Sequence, residues 1–217
     1  LLSRAAAALS SPANQRVTAG LTPPGKALAA VVASRGASGR LTLVVAPTDR
    51  EVEQLTADAR FFYAGLEGAS DVEAAKAVLP FPSLQVDPYR GMAPHFKVAA
   101  ARAQALHAVA TGSGRIVVAS AASLLPRVSA PERLLRASME LRPGTEVDPL
   151  VLADLLGDAG FTRTDPVESH GTFTVRGGIV DFFPAGEDAP VRLEFIGDNV
   201  ESLRRFDPGL SGLRAWY

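Results

Sequence analysis

With 217 residues, 47% hydrophobic and 21% charged side chains, the chain has the make-up of an ordinary globular protein of one large or two small domains. It has no cysteine, which excludes disulfides and thiolate metal sites and fits a reducing, cytoplasmic location. The longest apolar patch near the start, Ala27 to Ala33, is too short to span a bilayer, and residues 1–10 lack the apolar core of a signal peptide, so no membrane partner is expected. The chain begins at Leu1 and stops at Tyr217, and is expected to be a piece of something longer. The net charge of −1 hides a segregation. Residues 1–137 hold 15 Lys and Arg against 9 Asp and Glu, or +6, and residues 138–217 hold 7 against 14, or −7. That change of sign predicts a domain boundary near residue 137. Neither half is basic enough for tight DNA binding on its own.

In chain order, Pro23-Pro24-Gly25-Lys26 opens a helical pattern to about Arg35, with proline in its favoured place at a helix start. Leu41–Ala46 reads as a short buried strand. A helix from about Arg50 to Tyr63 follows, which Thr48 or Asp49 is placed to cap. Ala77–Phe81 and Gln85-Val86 are weaker strand candidates. Phe96, Ala99, Ala103, Leu106 and Val109 recur at helical spacing and predict a helix over Pro94–Thr111, before a buried strand at Arg115–Ala119. Short apolar strands alternating with helices imply a parallel sheet with helices on its faces.

Gly20 to Ala27 matches G-x-x-x-x-G-K but lacks the final Ser or Thr. A working phosphate loop needs consecutive backbone N–H groups and a hydroxyl for Mg²⁺. Pro23 and Pro24 remove two donors, and Ala27 stands where the hydroxyl is needed. No apolar strand in this half carries the acidic pair that would hold metal and water. The residues therefore favour a proline-started helix in which Gly25 aids packing over a nucleotide site built on Gly20, Gly25, Lys26 and Ala27. Hydrolysis here is not expected, and no cofactor is assigned.

In the second half, Arg136–Arg142 reads as a strand, a helix starts at Asp148 or Pro149 and runs through Leu156, and Phe161–Val167 reads as another strand. The stretch from His170 to Pro208 then alternates. Phe173 and Val175 share one face with Thr174 and Arg176 on the other, Gly177-Gly178 breaks the run, Ile179–Phe183 is apolar, and Val191–Ile196 alternates again. This is an antiparallel meander with one buried and one solvated face. A helix against such a sheet makes a small α+β domain. Parity puts Arg176, Arg192, Glu194 and Ile196 on the solvated side, where an arginine-rich surface with a stray large apolar residue suits a partner. Asp181 has no carboxylate or histidine nearby in sequence and reads as an ion-pair or hydrogen-bonding residue. His95, His107 and His170 are scattered singly and read as neither metal ligands nor bases. Taken alone, the arginines read as solvated strand residues balancing an acidic domain.

Gly171 to Pro184 (GTFTVRGGIVDFFP) and Pro190 to Pro208 (PVRLEFIGDNVESLRRFDP) resemble two linked phrases of the UvrB family, and more closely those of the amino-terminal module of the transcription-repair coupling factors within it. Looser matches are Phe81-Pro82, Asp87-Pro88-Tyr89, the helix bearing Arg102, and Ile116–Leu125. The family expects an intact phosphate loop in UvrB and a degenerate one in the coupling factors, so Ala27 points to the latter. The resemblance implies a RecA-like, P-loop NTPase-like half-domain over 1–137 with a degenerate nucleotide loop. It further implies a UvrA-interaction domain over 138–207, like the second domain of UvrB, and the start of a return linker at 208–217. By matching phrases, Arg163, Arg176 and Arg192 correspond to arginines of the UvrA-binding surface, and the odds on those residues then turn towards partner binding. Two departures are Thr174, where UvrB often has a second arginine, and Ile196, in place of a second aromatic residue.

The implied role is to recruit nucleotide excision repair, through UvrA, to RNA polymerase stalled at DNA lesions. ATP and Mg²⁺, DNA and polymerase would be handled by other domains of the full translocase, whose distal domains can mask the UvrA face. The alternatives are a fragment of a UvrB-type helicase with an unusual loop, or an interaction module with another partner. As solvated strand residues, Arg176 and Arg192 are expected to tolerate alanine without loss of the fold.

Overall fold

The computed structural model describes residues 19–36, 40–86, 94–136, 138–184, 187 and 189–207. Asp87-Pro88-Tyr89 and the stretch 208–217 lie outside them. The chain divides into two units, Leu1–Ala137 and Ser138–Tyr217.

In the first unit, helix α1 (Pro23–Gly36) precedes strand β1 (Thr42–Ala46), as the proline start and the apolar run predict. Thr48 caps α2 (Asp49–Glu67), its hydroxyl oxygen accepting from Glu51 N–H at 3.3 Å. That helix turns in Val52, Leu55, Thr56 and Ala59, one stripe at i, i+3, i+4 and i+7. A further helix, α3 (Asp71–Ala77), is held by a reciprocal capping box between Ser70 and Glu73. It leads into β2 (Val78–Phe81). After α4 (Phe96–Thr111) come β3 (Ile116–Ser120), a 3-10 turn at Ala121–Leu124, and α5 (Pro131–Arg136). The three strands are parallel in the order β1-β3-β2. Apolar residues of α1, α2 and the strands form one cluster, including Ala27, Val31, Val52, Val78, Ile116 and Val118. Ala105 and Ala108 of α4 form the other, with Leu79, Phe81, Val117 and Ala119. Strands β2 and β3 are thus covered on both faces, but the buried strand expected at Leu41–Ala46 is corrected: Leu43 and Val45 of β1 are half exposed, since the cluster around α4 reaches only β2 and β3.

The second unit holds α6 (Pro149–Asp158), capped by Asp148, whose carboxylate accepts from Leu150 N–H at 2.7 Å. Its five-stranded sheet runs β4 (Thr162–Arg163), β5 (Thr172–Arg176), β6 (Ile179–Phe182), β7 (Val191–Ile196) and β8 (Asn199–Arg205) in that order. β5 to β8 form the antiparallel meander, and β4 adds in parallel at the edge. Phe173, Val180, Leu193, Phe195 and Val200 pack with Leu152 and Leu156 of α6 in a single core. The β5–β6 turn needs its glycines. Gly177 has φ 58°, and a Cβ on Gly178 would lie 2.9 Å from the Phe195 carbonyl oxygen.

Several expectations are corrected. Gln85-Val86 is not a strand; Gln85 has φ 56° and turns its amide towards Asp49. The row at helical spacing in α4 is not its buried row. Arg102, Ala105 and Ala108 face inward, because small side chains let the helix sit close to the sheet, and Val109 stays half exposed. Arg136–Arg142 is no strand: Pro131 starts α5, which holds Arg136, and residues 138–142 are irregular. The strand expected over Phe161–Val167 shrinks to Thr162–Arg163, since Pro166 has no N–H for a ladder.

Candidate functional site

Two places in the sequence promise chemistry, and the structure treats them differently. At the phosphate-like loop, the Gly25 N–H donates to Thr22 Oγ1 at 3.3 Å and the Lys26 N–H to the Thr22 carbonyl at 3.0 Å. Pro23 and Pro24 have no N–H to offer. None of residues 23–26 therefore keeps an unspent backbone donor for a phosphate. Ala27 is 1% exposed in the core, where no hydroxyl could reach a metal in solvent. Gly20, with φ 78°, simply turns the chain into this start.

At the carboxyl ends of the parallel strands, Asp49 accepts from the Ser83 N–H at 2.8 Å and its hydroxyl at 2.5 Å. Burial pushes the Asp49 carboxyl up, but the bonds from Ser83, Ser120 and Gln85 outweigh it and hold the pKa below its ordinary value. Arg102 is buried, its guanidinium 4.0 Å from the Phe81 ring and donating to the Pro82 carbonyl at 2.6 Å. Burial lowers its pKa, opposed by the charge of Asp49. These groups lock loops together. An apolar cavity of about 260 Å³ also lies in this unit, lined by Leu43, Leu106, Val109, Leu124 and Val128 among others.

The polar face of the antiparallel sheet is the stronger candidate. Register sets Thr174, Asp181, Arg192 and Arg204 in one row across the strands, and Arg176, Ile179, Glu194 and Ser202 in the next. Arg176, Arg192, Glu194 and Ile196 thus share one face, as parity predicts. A bulge that leaves Glu201 of β8 unpaired between Ser202 and Val200 brings Val200 into the core opposite Phe195, while β7 alternates unbroken and leaves Ile196 out, 69% exposed. Every arginine here has a carboxylate. Arg176 pairs with Asp165, Arg204 with Glu194, and Arg192 donates through Nε and Nη2 to the two oxygens of Asp181, both at 2.7 Å. The bond from Arg204, then that from Ser202, holds the Glu194 carboxyl below its usual pKa, and the Asp181 bond raises that of Arg192.

Two readings need revision. Arg163 is exposed, but register sets it beside Phe173, in the core-facing row rather than that of Arg176, and it donates to the Val175 carbonyl at 3.4 Å. Nor is the whole polar face solvated: Thr174 and Asp181 are buried, so removing Arg192 would leave a buried carboxylate unpaired. The Asp181 side chain is the ion-pairing residue its isolation in sequence suggested. Sequence reasoning missed Arg204 and Phe206; extending the alternation through Asn199–Arg205 would have exposed Arg204, had the bulge been allowed for. The histidines have structural surroundings. His95 caps α4, and His170 lies 4.1 Å from the Phe183 ring with Nε2 3.0 Å from the Glu187 carbonyl. Among the described residues no three His, Cys, Asp or Glu gather as a metal site, and no helix is long and apolar enough to cross a membrane.

Residues 139–212 match the family model described as the UvrB interaction domain. The chain is 36% identical over 199 residues to the transcription-repair-coupling factor of Myxococcus xanthus, which covers 90% of this chain and 16% of that protein. It is 30% identical over 120 residues to that of Escherichia coli, covering 55% of this chain and 10% of that protein. UvrABC system protein B of Mycobacterium ulcerans is 39% identical over 93 residues, covering 43% of this chain and 13% of that protein. The chain thus spans about a sixth or less of the length of these relatives. It carries a UvrB interaction domain and is homologous to the transcription-repair-coupling factors and to UvrB.

Proposed function

We propose that this chain is the amino-terminal adaptor of a transcription-repair coupling factor, and that its second unit binds UvrA. The observation that carries the reading is that the exposed arginine-and-isoleucine face of the antiparallel sheet falls inside the matched UvrB interaction domain. Arginine suits the task because its planar fork grips a carboxylate with two hydrogen bonds, and Ile196 adds an apolar contact beside it. The homologues support a role in DNA repair; the finer reading is recruitment of excision repair to RNA polymerase stalled at lesions. The first unit is then a degenerate RecA-like half-domain that does not hydrolyse ATP, since the N–H groups at the start of α1 are spent on Thr22. Translocation on DNA, ATP and Mg²⁺ binding and polymerase contact fall to other parts of the full cytoplasmic protein, whose distal domains would cover and uncover this face.

A UvrB-type helicase fragment is the competing reading, favoured by the matches to UvrABC system protein B. Calorimetric titration with UvrA tests the binding face that both readings share, and titration with Mg·ATP separates the two. Arg176→Ala/Ile196→Ala should weaken binding by about 10- to 100-fold at unchanged melting temperature. A well-folded wild type that does not bind UvrA, or that binds Mg·ATP in a manner abolished by Lys26→Ala, would overturn the adaptor reading.

A further inference from the structure

Arg192 differs from the other arginines of its face in how it is held. The Asp181 side chain is 6% exposed and takes the side-on edge of the guanidinium, Nε and Nη2, with both carboxylate oxygens. The guanidinium carbon sits 4.8 Å from the centroid of the Phe206 ring, which follows β8. Asp181 lies directly across from Arg192 in the β6–β7 ladder, so the contact is fixed by backbone register rather than by a chance rotamer. Arg176 and its partner Asp165, by contrast, are both about half exposed, and side-chain rotation costs that pair little.

A guanidinium carries five N–H groups in a rigid plane. Side-on engagement by Asp181 uses two of them and leaves the end-on pair, one N–H from each terminal nitrogen, pointing away along the side-chain axis. Arg192 keeps 29% of its side chain exposed, which is the right state for a fork gripped from behind and offered at its tip.

We infer that Asp181 and Phe206 are positioning residues for partner recognition: they orient Arg192 so that its end-on fork meets a carboxylate of the docking protein. This rests on the reading of the sheet face as the UvrA surface. Ordering a long side chain costs rotamer entropy, and a clamp built into the fold meets that cost before the partner arrives. Asp181 touches the partner nowhere in this arrangement. Its effect passes entirely through Arg192.

The test is a cycle of UvrA titrations on the 217-residue chain. Asp181→Asn, which keeps shape but loses one acceptor and the charge, should weaken binding by about 10-fold with Arg192 present and by less than 2-fold in the Arg192→Lys background, where no fork remains to orient. Arg192→Lys keeps a cation for Asp181 and so preserves the fold, yet should itself weaken binding by about 10-fold, and Phe206→Leu by about 3-fold. An Asp181→Asn loss of the same size in both backgrounds, or no loss in either, overturns the inference. If Arg192→Lys binds like wild type while Arg176→Ala loses affinity, the surface stands and the positioning role falls. If neither arginine matters, the surface reading fails and takes this inference with it.

Discussion

The two units use the same kinds of residue to opposite ends. In the parallel unit, Asp49, Ser83 and Arg102 gather at the carboxyl ends of the strands, where such folds commonly bind ligands, yet each is turned on its neighbours. The same holds for the N–H groups of Gly25 and Lys26. In the antiparallel unit, the arginines Arg176, Arg192 and Arg204 also have carboxylate partners but keep 29% to 54% of their side chains in solvent. Strands β2 and β3, covered on both faces, leave the polar groups at their ends to satisfy one another, whereas a sheet with one open face can pair a charge and still present it. A polar cluster is therefore a weak sign of a site until its unspent donors are known.

The sharpest way to break this contrast is to compare two positions of β7, one on each face. Leu193 is fully buried and Ile196 is 69% exposed. Leu193→Ala should cost about 2–5 kcal/mol in urea denaturation, and Ile196→Ala about 0.5 kcal/mol or less. Comparable losses would mean that the face bearing Ile196 is covered in the folded chain. Next in size, Arg192→Ala should cost about 2–3 kcal/mol, below the 3–5 of a fully buried pair because Arg192 keeps some exposure. Arg176→Ala should cost under about 1 kcal/mol. Equal melting temperatures for these two variants would show that the Asp181 clamp does not stabilise the sheet.

The meander was legible because period-two alternation and the Gly177-Gly178 turn leave little choice of register. From it followed the shared face of Arg176 and Arg192. The commitment of Arg192 to Asp181 was not legible, since it depends on which residues oppose each other across the β6–β7 connection. The orientation of α4 failed for a different reason: alanine fits either side of a helix, so Ala99 and Ala103 carried no more information than Ala105 and Ala108. The helix Asp71–Ala77 did have a signal, Ser70 with Glu73 three residues on, and it outweighed a weak apolar pattern. The bulge at Glu201 had none, because nothing in Asn199–Arg205 marks where the ladder slips.

The smallest expected effect concerns acid. Glu194 has its carboxyl pKa held below the ordinary glutamate value, chiefly by Arg204 and then by Ser202. A depressed carboxylate contributes stability above its unfolded pKa and loses it as pH falls through the folded one. The pair is partly exposed, so solvent screening leaves at most a few tenths of a kcal/mol. Denaturant titrations of wild type and Glu194→Gln should therefore differ slightly at neutral pH and converge in acid. Asp49, also depressed but locked by two bonds from Ser83, should give the larger difference, about 1–2 kcal/mol for Asp49→Asn at neutral pH, likewise converging in acid. If Glu194→Gln proved the more damaging of the two, the open face would be the better-locked part of the molecule, and the contrast between the units would reverse.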